Sequence, residues 1–487
     1  MAVFVAVHLP RLSMEAFRPR WSPETERGCA VLDKEKVVVS DTAAREAGVV
    51  LGMKRGGVLT LAPQTTVYDR DLAREADLLH ATAVALMRFS PMVSVCEEST
   101  VLIDISASLR LFGGIVAVCH QIQEVVQSVG VTSRMSVAPT GQGAWLLGKR
   151  GKVRVLKTRS LQRKLDSLPF QVVPEVRPYA DWFNGLGCRT LADVRRLPRA
   201  GLKKRCGVDL LDSLDQAYGS TPEVFDWLEL PPAFSQRVEL PDRVEHAEAV
   251  LFSAKRLIVQ LCGWLSAQQV ALTHASVILE HERGRQAIDP TAIEIALAVP
   301  TWREQHLLRL LKERLGRIEL QAAVIAVRLT ATKVEAAEPP SEDLFPDPGG
   351  SSEDHNRLLE LLVARLGAEN VLKPAPTSDH RPESANRWVP VQEAVKLEAP
   401  PSDLPRPTWL LDMPIRLLVK NHRPFYGSTL KLVSTAERIE GGWFDGQTAT
   451  RDYYVAQAED KSFYWIYRER PSVKSEEVVW FLHGLFG

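Results

Sequence analysis

Two adjacent carboxylates, Glu97 and Glu98, are of the residue type that could hold a divalent ion. They lie just before residues 101–105, an apolar run typical of a buried strand, in which Asp104 is the single acid. Magnesium prefers hard oxygen ligands, chiefly carboxylates. Side chains on a strand alternate with a period of two, so a strand extended through these acids would give each of them a defined face. The two glutamates are therefore either a candidate pair of metal ligands or solvated residues before a strand.

The cysteines and His8 do not indicate a zinc site or a disulfide framework. No CxxC pair occurs, and the six thiols are far apart in the sequence, which fits a reducing cytosol: Cys29, Cys96, Cys119, Cys188, Cys206 and Cys262. His8 follows the apolar run of residues 3–7. Imidazole suits zinc better than magnesium, so His8 is not expected to be a magnesium ligand. We interpret it as a partly buried histidine at a strand end.

Positive charge is concentrated locally rather than overall. Lys+Arg and Asp+Glu both number 60, so net charge gives no indication of nucleic-acid binding and only clustering can. Acidic residues concentrate in residues 335–354, whereas residues 189–205 carry a basic run: Arg189, Arg195, Arg196, Arg199, Lys203, Lys204 and Arg205. Such a run either neutralises nucleic-acid phosphates or forms a solvated helix face.

The elements that must position these residues alternate between strands and helices. We predict strands at residues 3–7, 37–40, 101–105 and 131–138, and helices at 72–89 and 109–130. This order indicates an α+β sheet with helices on one face. Short helices joined by Gly and Pro follow to residue 232, and residues 233–333 form a second α+β unit with a long helix at 247–267.

The last third of the chain has a different composition. Residues 334–354 are rich in Pro, Gly, Ser and acid and are predicted to be a disordered linker. Residues 355–405 contain a short amphipathic helix and a Pro-rich, mostly irregular connector. Residues 406–487 are dense in aromatics and turn signals, which predicts a small, mostly-β domain. Its terminal run, 480–487, is either a buried last element or a partner-docking tail.

In this order the segments resemble the palm, fingers, thumb and little finger of Y-family translesion DNA polymerases. Four motifs carry the resemblance, which covers residues 1–332: DTAAREAGVVLGM at 41–53, STVLIDISASLRLFG at 99–113, SVAPTGQGAWLL at 136–147 and FNGLGCRTLADVRRLP at 183–198. It implies an α+β multidomain chain with palm and fingers at 1–165, a helical thumb with a helix-hairpin-helix at 166–232, and an α+β little finger at 233–333.

The resemblance also implies that the catalytic metal site is degenerate. Polymerases transfer nucleotides with two ions about 3.5–4 Å apart, held in this family by one Asp on the first strand and an Asp-Glu pair on the palm strand. The matching positions are His8, Ser99 and Thr100. We therefore expect no catalytic residue, metal or cofactor. Glu97 and Glu98, two residues upstream, are the alternative as a displaced acidic pair.

The nucleotide pocket implied by the resemblance is eroded too. Arg45 matches the phosphate-binding arginine and is either a remnant of this pocket or a surface helix arginine. Thr42 replaces the neighbouring tyrosine, Ser13 stands near the sugar-selecting aromatic, and the expected lysine is replaced by Gly141 or Trp145.

The thumb motif implies DNA binding. A helix-hairpin-helix presents backbone N–H groups at its glycine turn, and nearby cations neutralise phosphates without reading sequence. The candidate DNA-binding residues are Gly185, Gly187, Arg189, Arg195, Arg196, Lys203 and Lys204.

The remaining motifs resemble the C-terminal region of the ImuB family, the polymerase-like member of a bacterial SOS mutagenesis cassette: SDHRPE at 378–383, ERIEGGWFDG at 437–446, RDYYVA at 451–456 and WFLHGLFG at 480–487. The implied partners are an ImuA-type RecA-like protein, an error-prone DnaE-type polymerase and the β sliding clamp. SEDLF at 341–345 resembles a clamp-binding peptide, with Ser341 in place of the usual Gln and with Asp343, Leu344 and Phe345 completing the motif.

These patterns predict a non-catalytic adaptor in SOS-induced translesion synthesis and mutagenesis. The alternatives are an active low-fidelity polymerase that uses Glu97 and Glu98, and a structural DNA-binding protein without partners. We expect no membrane association, because no apolar run reaches the ~18 residues that span a bilayer. The first residues do not resemble a signal peptide, so a cytoplasmic, nucleoid-associated location is expected.

Overall fold

A computed structural model of the chain describes residues 2–20, 27–282, 288–337, 352–395, 405–444, 446–470 and 478–487. It divides the chain into two compact units, Met1–Arg365 and Leu366–Gly487. The division into six segments predicted from the sequence is finer than this and stays a prediction.

The palm and fingers segment begins the first unit. Its elements in chain order are β1 (Phe4–His8), α1 (Leu12–Glu15), β2 (Cys29–Asp33), β3 (Lys36–Ser40), α2 (Thr42–Glu46), α3 (Arg55–Leu61), β4 (Thr66–Asp69), α4 (Leu72–Leu86), β5 (Val93–Cys96), β6 (Thr100–Asp104), α5 (Ile115–Val129), β7 (Arg134–Ala138), α6 (Gly141–Gly148) and β8 (Val153–Arg154). The strands form a palm sheet of order β5-β6-β1-β7-β8 and a fingers sheet of order β3-β2-β4.

Helices cover both faces of the palm sheet, so the prediction that they lie on one face is wrong. Val5 and Val7 of the central strand β1 pack into the core that contains α4 and α5. Phe4 and Ala6 pack with α6 and the thumb. Both sets of alternating positions in β1 are apolar, and a strand that is apolar on both faces must be covered on both.

The thumb is helical, as predicted. Its elements are α7 (Thr158–Asp166), α8 (Ala180–Gly185), α9 (Leu191–Arg196), α10 (Arg199–Cys206) and α11 (Asp209–Tyr218). Leu161 and Leu165 of α7 and Leu191 and Val194 of α9 are buried in the core shared with α6. The thumb is thereby fixed against the palm face that carries His8.

The little finger is a four-stranded sheet, β11-β10-β12-β9, covered by helices. Its elements are β9 (Ser235–Val244), α12 (Val250–Gln268), β10 (Val270–His281), β11 (Thr291–Thr301), α13 (Glu304–Leu315) and β12 (Val324–Ala336), followed by α14 (Ser352–Leu366). The last helix docks here: the Glu360 carboxylate accepts a 2.5 Å bond from the Ala298 amide and lies 2.6 Å from His306 Nε2. Since Glu360 is buried, this contact ties α14 to the first unit.

Helix α12 joins the little finger to the palm through a shared core. Val259 of α12 packs among palm residues, and Val84 of the palm helix α4 packs among little-finger residues. Gly263 lies in close contact with α4, because a Cβ there would overlap the Val84 carbonyl oxygen and lie 3.0 Å from Ala85 Cα.

Among the described residues, 247–268 is the one helix long and apolar enough to cross a membrane. Its burial, 67% of the apolar window, is that of a core helix.

The second unit contains first a hairpin and then the predicted small β domain. Its strands are β13 (Leu372–Pro376), β14 (Asn386–Pro390), β15 (Trp409–Arg416), β16 (Leu418–Lys420), β17 (Arg423–Tyr426), β18 (Ser428–Thr429), β19 (Lys431–Leu432), β20 (Glu437–Gly441), β21 (Ala449–Gln457), β22 (Phe463–Glu469) and β23 (Trp480–Leu485). The β13–β14 hairpin corrects the expectation of a mostly irregular connector. Strand β23 lies between β15 and β22 with Leu482 and His483 buried, so the chain terminus is a core element.

Candidate functional site

His8 and Thr100 face each other at one end of the palm sheet. They are register partners in the β1–β6 pair, and His8 Nδ1 lies 3.1 Å from Thr100 Oγ1. The buried Thr100 hydroxyl donates to the Glu98 carbonyl oxygen at 3.1 Å, so it accepts from Nδ1–H of His8. Burial lowers the pKa of His8. The pair is a satisfied, neutral hydrogen-bonded contact where the resemblance placed metal-binding carboxylates.

The prediction that Glu97 and Glu98 could share the palm strand as a displaced acidic pair is wrong. Strand β5 ends at Cys96 and β6 begins at Thr100, so both glutamates and Ser99 lie in the hairpin turn between them. Glu98 and Ser99 have left-handed backbone conformations, with φ of 53° and 55°. The alternation of strand side chains therefore does not apply to them.

The Glu98 carboxylate is held between two cations. Lys149 Nζ lies 2.6 Å from one oxygen, and Arg177, from the 3-10 turn Pro174–Tyr179 of the thumb, pairs with the other. Burial alone would raise the pKa of Glu98, but the bonds from Arg177 and Lys149 lower it overall. This carboxylate is thus neutralised by the protein itself, and the ion pairs connect palm to thumb.

Lys149 is a site residue that the sequence interpretation missed. The lysine that the resemblance implies would stand at Gly141 or Trp145, within α6. Lys149 instead follows that helix, as its C-cap residue. Its ammonium lies 3.3 Å from the centre of the Trp145 ring, and the indole Nε1 donates to the Glu97 carbonyl at 3.1 Å. His8, Glu98, Lys149 and Arg177 together line a cavity of about 490 Å³. Burial lowers the pKa of Lys149, and the ion pair with Glu98 opposes this effect by favouring the charged ammonium.

Replacing Glu98 with Gln is expected to destabilise the first unit by about 2 kcal/mol, because it leaves the buried Lys149 without its anion. Chemical denaturation of the chain measures this loss. Glu97→Gln is the matched control, since Glu97 is exposed and only its backbone carbonyl is used. Equal stabilities of the two variants would show that the Glu98 ion pairs contribute nothing.

Arg45 lines a second cavity, of about 980 Å³, between the palm and the fingers. Its guanidinium folds back onto its own helix, where Nε donates to the Asp41 carbonyl at 3.0 Å and Nη2 to the Thr42 hydroxyl at 3.2 Å. Its role as a nucleotide-pocket remnant stays a prediction. Throughout the described ranges, no group of three or more His, Cys, Asp or Glu side chains is arranged to hold a metal ion.

The thumb hairpin does not present free amides at its glycine turn. The amides of Leu186, Gly187 and Cys188 donate to carbonyls of α8 at 3.0–3.2 Å. The amides of Arg189 and Thr190 donate to the Asp193 carboxylate. These amides thus already have partners within the chain, and their binding to phosphates stays a prediction. Gly185 and Gly187 are exposed with open space where a Cβ would stand, so the turn still allows close approach of a ligand.

The basic residues of the thumb differ in availability. Arg195 bonds Asp166 at 2.9 Å and lies over the Tyr218 ring at 3.8 Å, so it has a structural role. Arg196 is largely exposed and makes a long ion pair, with 3.7 Å between its Nη1 and Asp193 Oδ1. Arg189, Lys203 and Lys204 are exposed, and none of them is ion-paired within the part of the chain that the structure describes. Their binding of DNA stays a prediction, as does that of Gly185 and Gly187. The clamp-like peptide Ser341, Asp343, Leu344 and Phe345 lies outside the described residues.

Comparison with known proteins shows what this chain is similar to. Residues 22–149 match the impB/mucB/samB family. Protein ImuB of Caulobacter vibrioides is 26% identical over 466 residues, which is 90% of this chain and 100% of that protein. Solved structures similar to it include a Dbh ternary complex (16% identity, 67% of this chain and 98% of that one, TM-score 0.38) and DinB from Sulfolobus solfataricus (15%, 69% and 100%, TM-score 0.38). The predicted resemblance to ImuB is thereby confirmed: the chain is similar to that protein along 90% of its length and matches the impB/mucB/samB family over residues 22–149.

Proposed function

We propose that this chain is a non-catalytic adaptor in SOS-induced translesion DNA synthesis and mutagenesis. The observation that carries the proposal is the state of the palm site. A hydrogen-bonded His8–Thr100 pair stands at the strand ends, and the carboxylate that lines the same cavity, Glu98, is neutralised by Lys149 and Arg177. Of the two glutamates only the exposed Glu97 is not ion-paired in the described residues, and one carboxylate by itself cannot clamp two magnesium ions.

The adaptor works by bringing other proteins to DNA. It binds DNA through the thumb, binds the β sliding clamp through residues 341–345, and recruits an ImuA-type RecA-like protein and an error-prone DnaE-type polymerase. Similarity to ImuB along most of the chain supports this set of partners. Such a protein acts in the cytoplasm, on the nucleoid.

Replacing Leu344 and Phe345 with Ala is expected to abolish binding to the sliding clamp, because these two apolar side chains fill the apolar pocket that such peptides use. Pull-down of purified clamp by the chain measures the effect. Asp347→Ala/Pro348→Ala is the control in the same segment and should leave binding unchanged. Clamp retention by the Leu344→Ala/Phe345→Ala variant refutes this part of the proposal.

A further inference from the structure

A second basic surface lies outside the thumb hairpin. Residues 149–164 contain eight Lys and Arg residues and no acid, in a chain whose total charges balance at 60 and 60. Seven of them are exposed, and six of these seven lie on β8, on α7 or within one residue before either element. We call this set the basic edge: Lys152, Arg154, Lys157, Arg159, Arg163 and Lys164.

The fold keeps these cations at the surface and without acidic partners. Strand β8 is the outermost strand of the palm sheet, so its outer side is free of a neighbouring strand. Arg159 and Arg163 are one turn apart on α7, opposite the buried Leu161 and Leu165. None of the six is ion-paired in the ranges that the structure describes. The segment's next acid, Asp166, is already used by Arg195 and Tyr218.

Most other basic clusters of this chain are internally compensated. Arg199 pairs with Asp215, and on the little finger Arg237 and Arg328 both pair with Glu280. Like charges held close together without acids are costly, and binding a polyanion removes that cost. The contrast sets the basic edge apart from an ordinary solvated helix face.

We infer that the basic edge binds the sugar–phosphate backbone of DNA, as a contact separate from the thumb hairpin. Successive members are at most four residues apart, so the chain holds each within about 14 Å of the next, a spacing that several consecutive phosphates can match. Thr158, Ser160 and Gln162, between the cations, can also donate hydrogen bonds to phosphate oxygens. The segment has no aromatic side chain and three of its six cations are lysines, whereas protein interfaces are enriched in aromatics and depleted of lysine.

This inference deepens the DNA-binding part of the proposed function and rests on it. In the adaptor, two separate backbone contacts would hold the chain on DNA while the palm site remains idle. Neither contact reads sequence, since both act on phosphates.

The test compares two sets of variants of the 487-residue chain by fluorescence anisotropy with a labelled 20-nucleotide single strand and its duplex at several salt concentrations. In the edge variant, Arg154, Arg159, Arg163 and Lys164 become Ala. The slope of log affinity against log salt should become shallower by about 0.7 for each lost contact on single strands and about 0.9 on duplex. For the four replaced cations the largest change is therefore about 2.8 on single strands and about 3.6 on duplex. Affinity at 0.1 M salt should fall at least ~10-fold. The charge-preserving variant Arg154→Lys/Arg159→Lys/Arg163→Lys should have the same salt slope as the unaltered chain.

The second set replaces Arg189, Lys203 and Lys204 of the thumb with Ala. If the thumb variant loses affinity and the edge variant keeps both affinity and slope, the inference is overturned while the proposed function stands. A loss in the edge variant alone supports the inference and removes the thumb assignment. Absence of DNA binding by the unaltered chain overturns both. An unchanged DNA slope with lost binding of poly-glutamate would assign the edge to an acidic protein and also overturn the inference.

Discussion

Gly263→Ala is expected to destabilise the first unit by about 3 kcal/mol or more, because its Cβ would overlap backbone atoms of α4. Backbone atoms cannot turn aside as a flexible side chain can. The contact lies in the core shared by palm and little finger, so relief requires the two segments to separate. Chemical denaturation should show the loss, and small-angle scattering should show a larger radius of gyration.

Gly201→Ala is the matched control for this prediction. Gly201 is also inside a helix, α10, but a Cβ there meets nothing within 4 Å. The same substitution should therefore be neutral, or stabilising by up to about 1 kcal/mol through helix propensity. If both variants unfold at the same denaturant concentration, α12 does not lock the little finger to the palm.

The second unit is expected to lose about 3 kcal/mol of stability as the pH falls from 6.5 towards 4. His483 is 1% exposed, and burial lowers its pKa to about 4 from the ordinary 6.5. The unfolded state therefore binds a proton that the folded state refuses. Stability from the neutral imidazole is complete above pH 6.5 and is lost as the pH falls through this window.

Scanning calorimetry of the chain across this pH range measures the effect. His483→Gln cannot titrate and can still bond the Tyr453 hydroxyl, which lies 2.7 Å from Nδ1, so it should flatten the pH dependence. His422→Gln alters an exposed histidine of the same unit and should leave the dependence as it is. A steep loss of stability between pH 6.5 and 4 that persists in His483→Gln would contradict this assignment. Asp452 cannot account for it, because its pKa is lowered and its contribution is lost only below the ordinary value of 3.8.

Elements with a long and regular apolar pattern could be predicted from the sequence. Helix α12 is an example. The predicted start of α5 at residue 109 is wrong, because the apolar pattern continues back beyond the true start. In the structure Gly113 and Gly114, with φ of 75° and 95°, form a turn and the helix begins at Ile115. Strand β11 was missed although Ile293, Ile295 and Leu297 alternate as buried residues, a signal that period-two analysis could have found.

The site was harder to predict, because its partners are far apart in the chain. Nothing local to Glu98 indicates that Lys149 and Arg177 converge on it, or that two non-glycine residues form the turn at 98–99. The paired amides at Gly187 likewise depend on how α8 ends. In contrast, the basic edge could have been predicted from the sequence, because residues 149–164 carry eight Lys and Arg residues and no acid. The sequence prediction considered only the basic run at residues 189–205.

Primer extension tests the central claim most directly. The purified chain is given a primed template, with and without a lesion, all four deoxynucleotides, and Mg²⁺ or Mn²⁺. The account predicts no extension beyond the protein-free reaction, both for the unaltered chain and for Glu97→Ala/Glu98→Ala. Extension by the unaltered chain that disappears in Glu97→Ala/Glu98→Ala would contradict it and make this protein a polymerase.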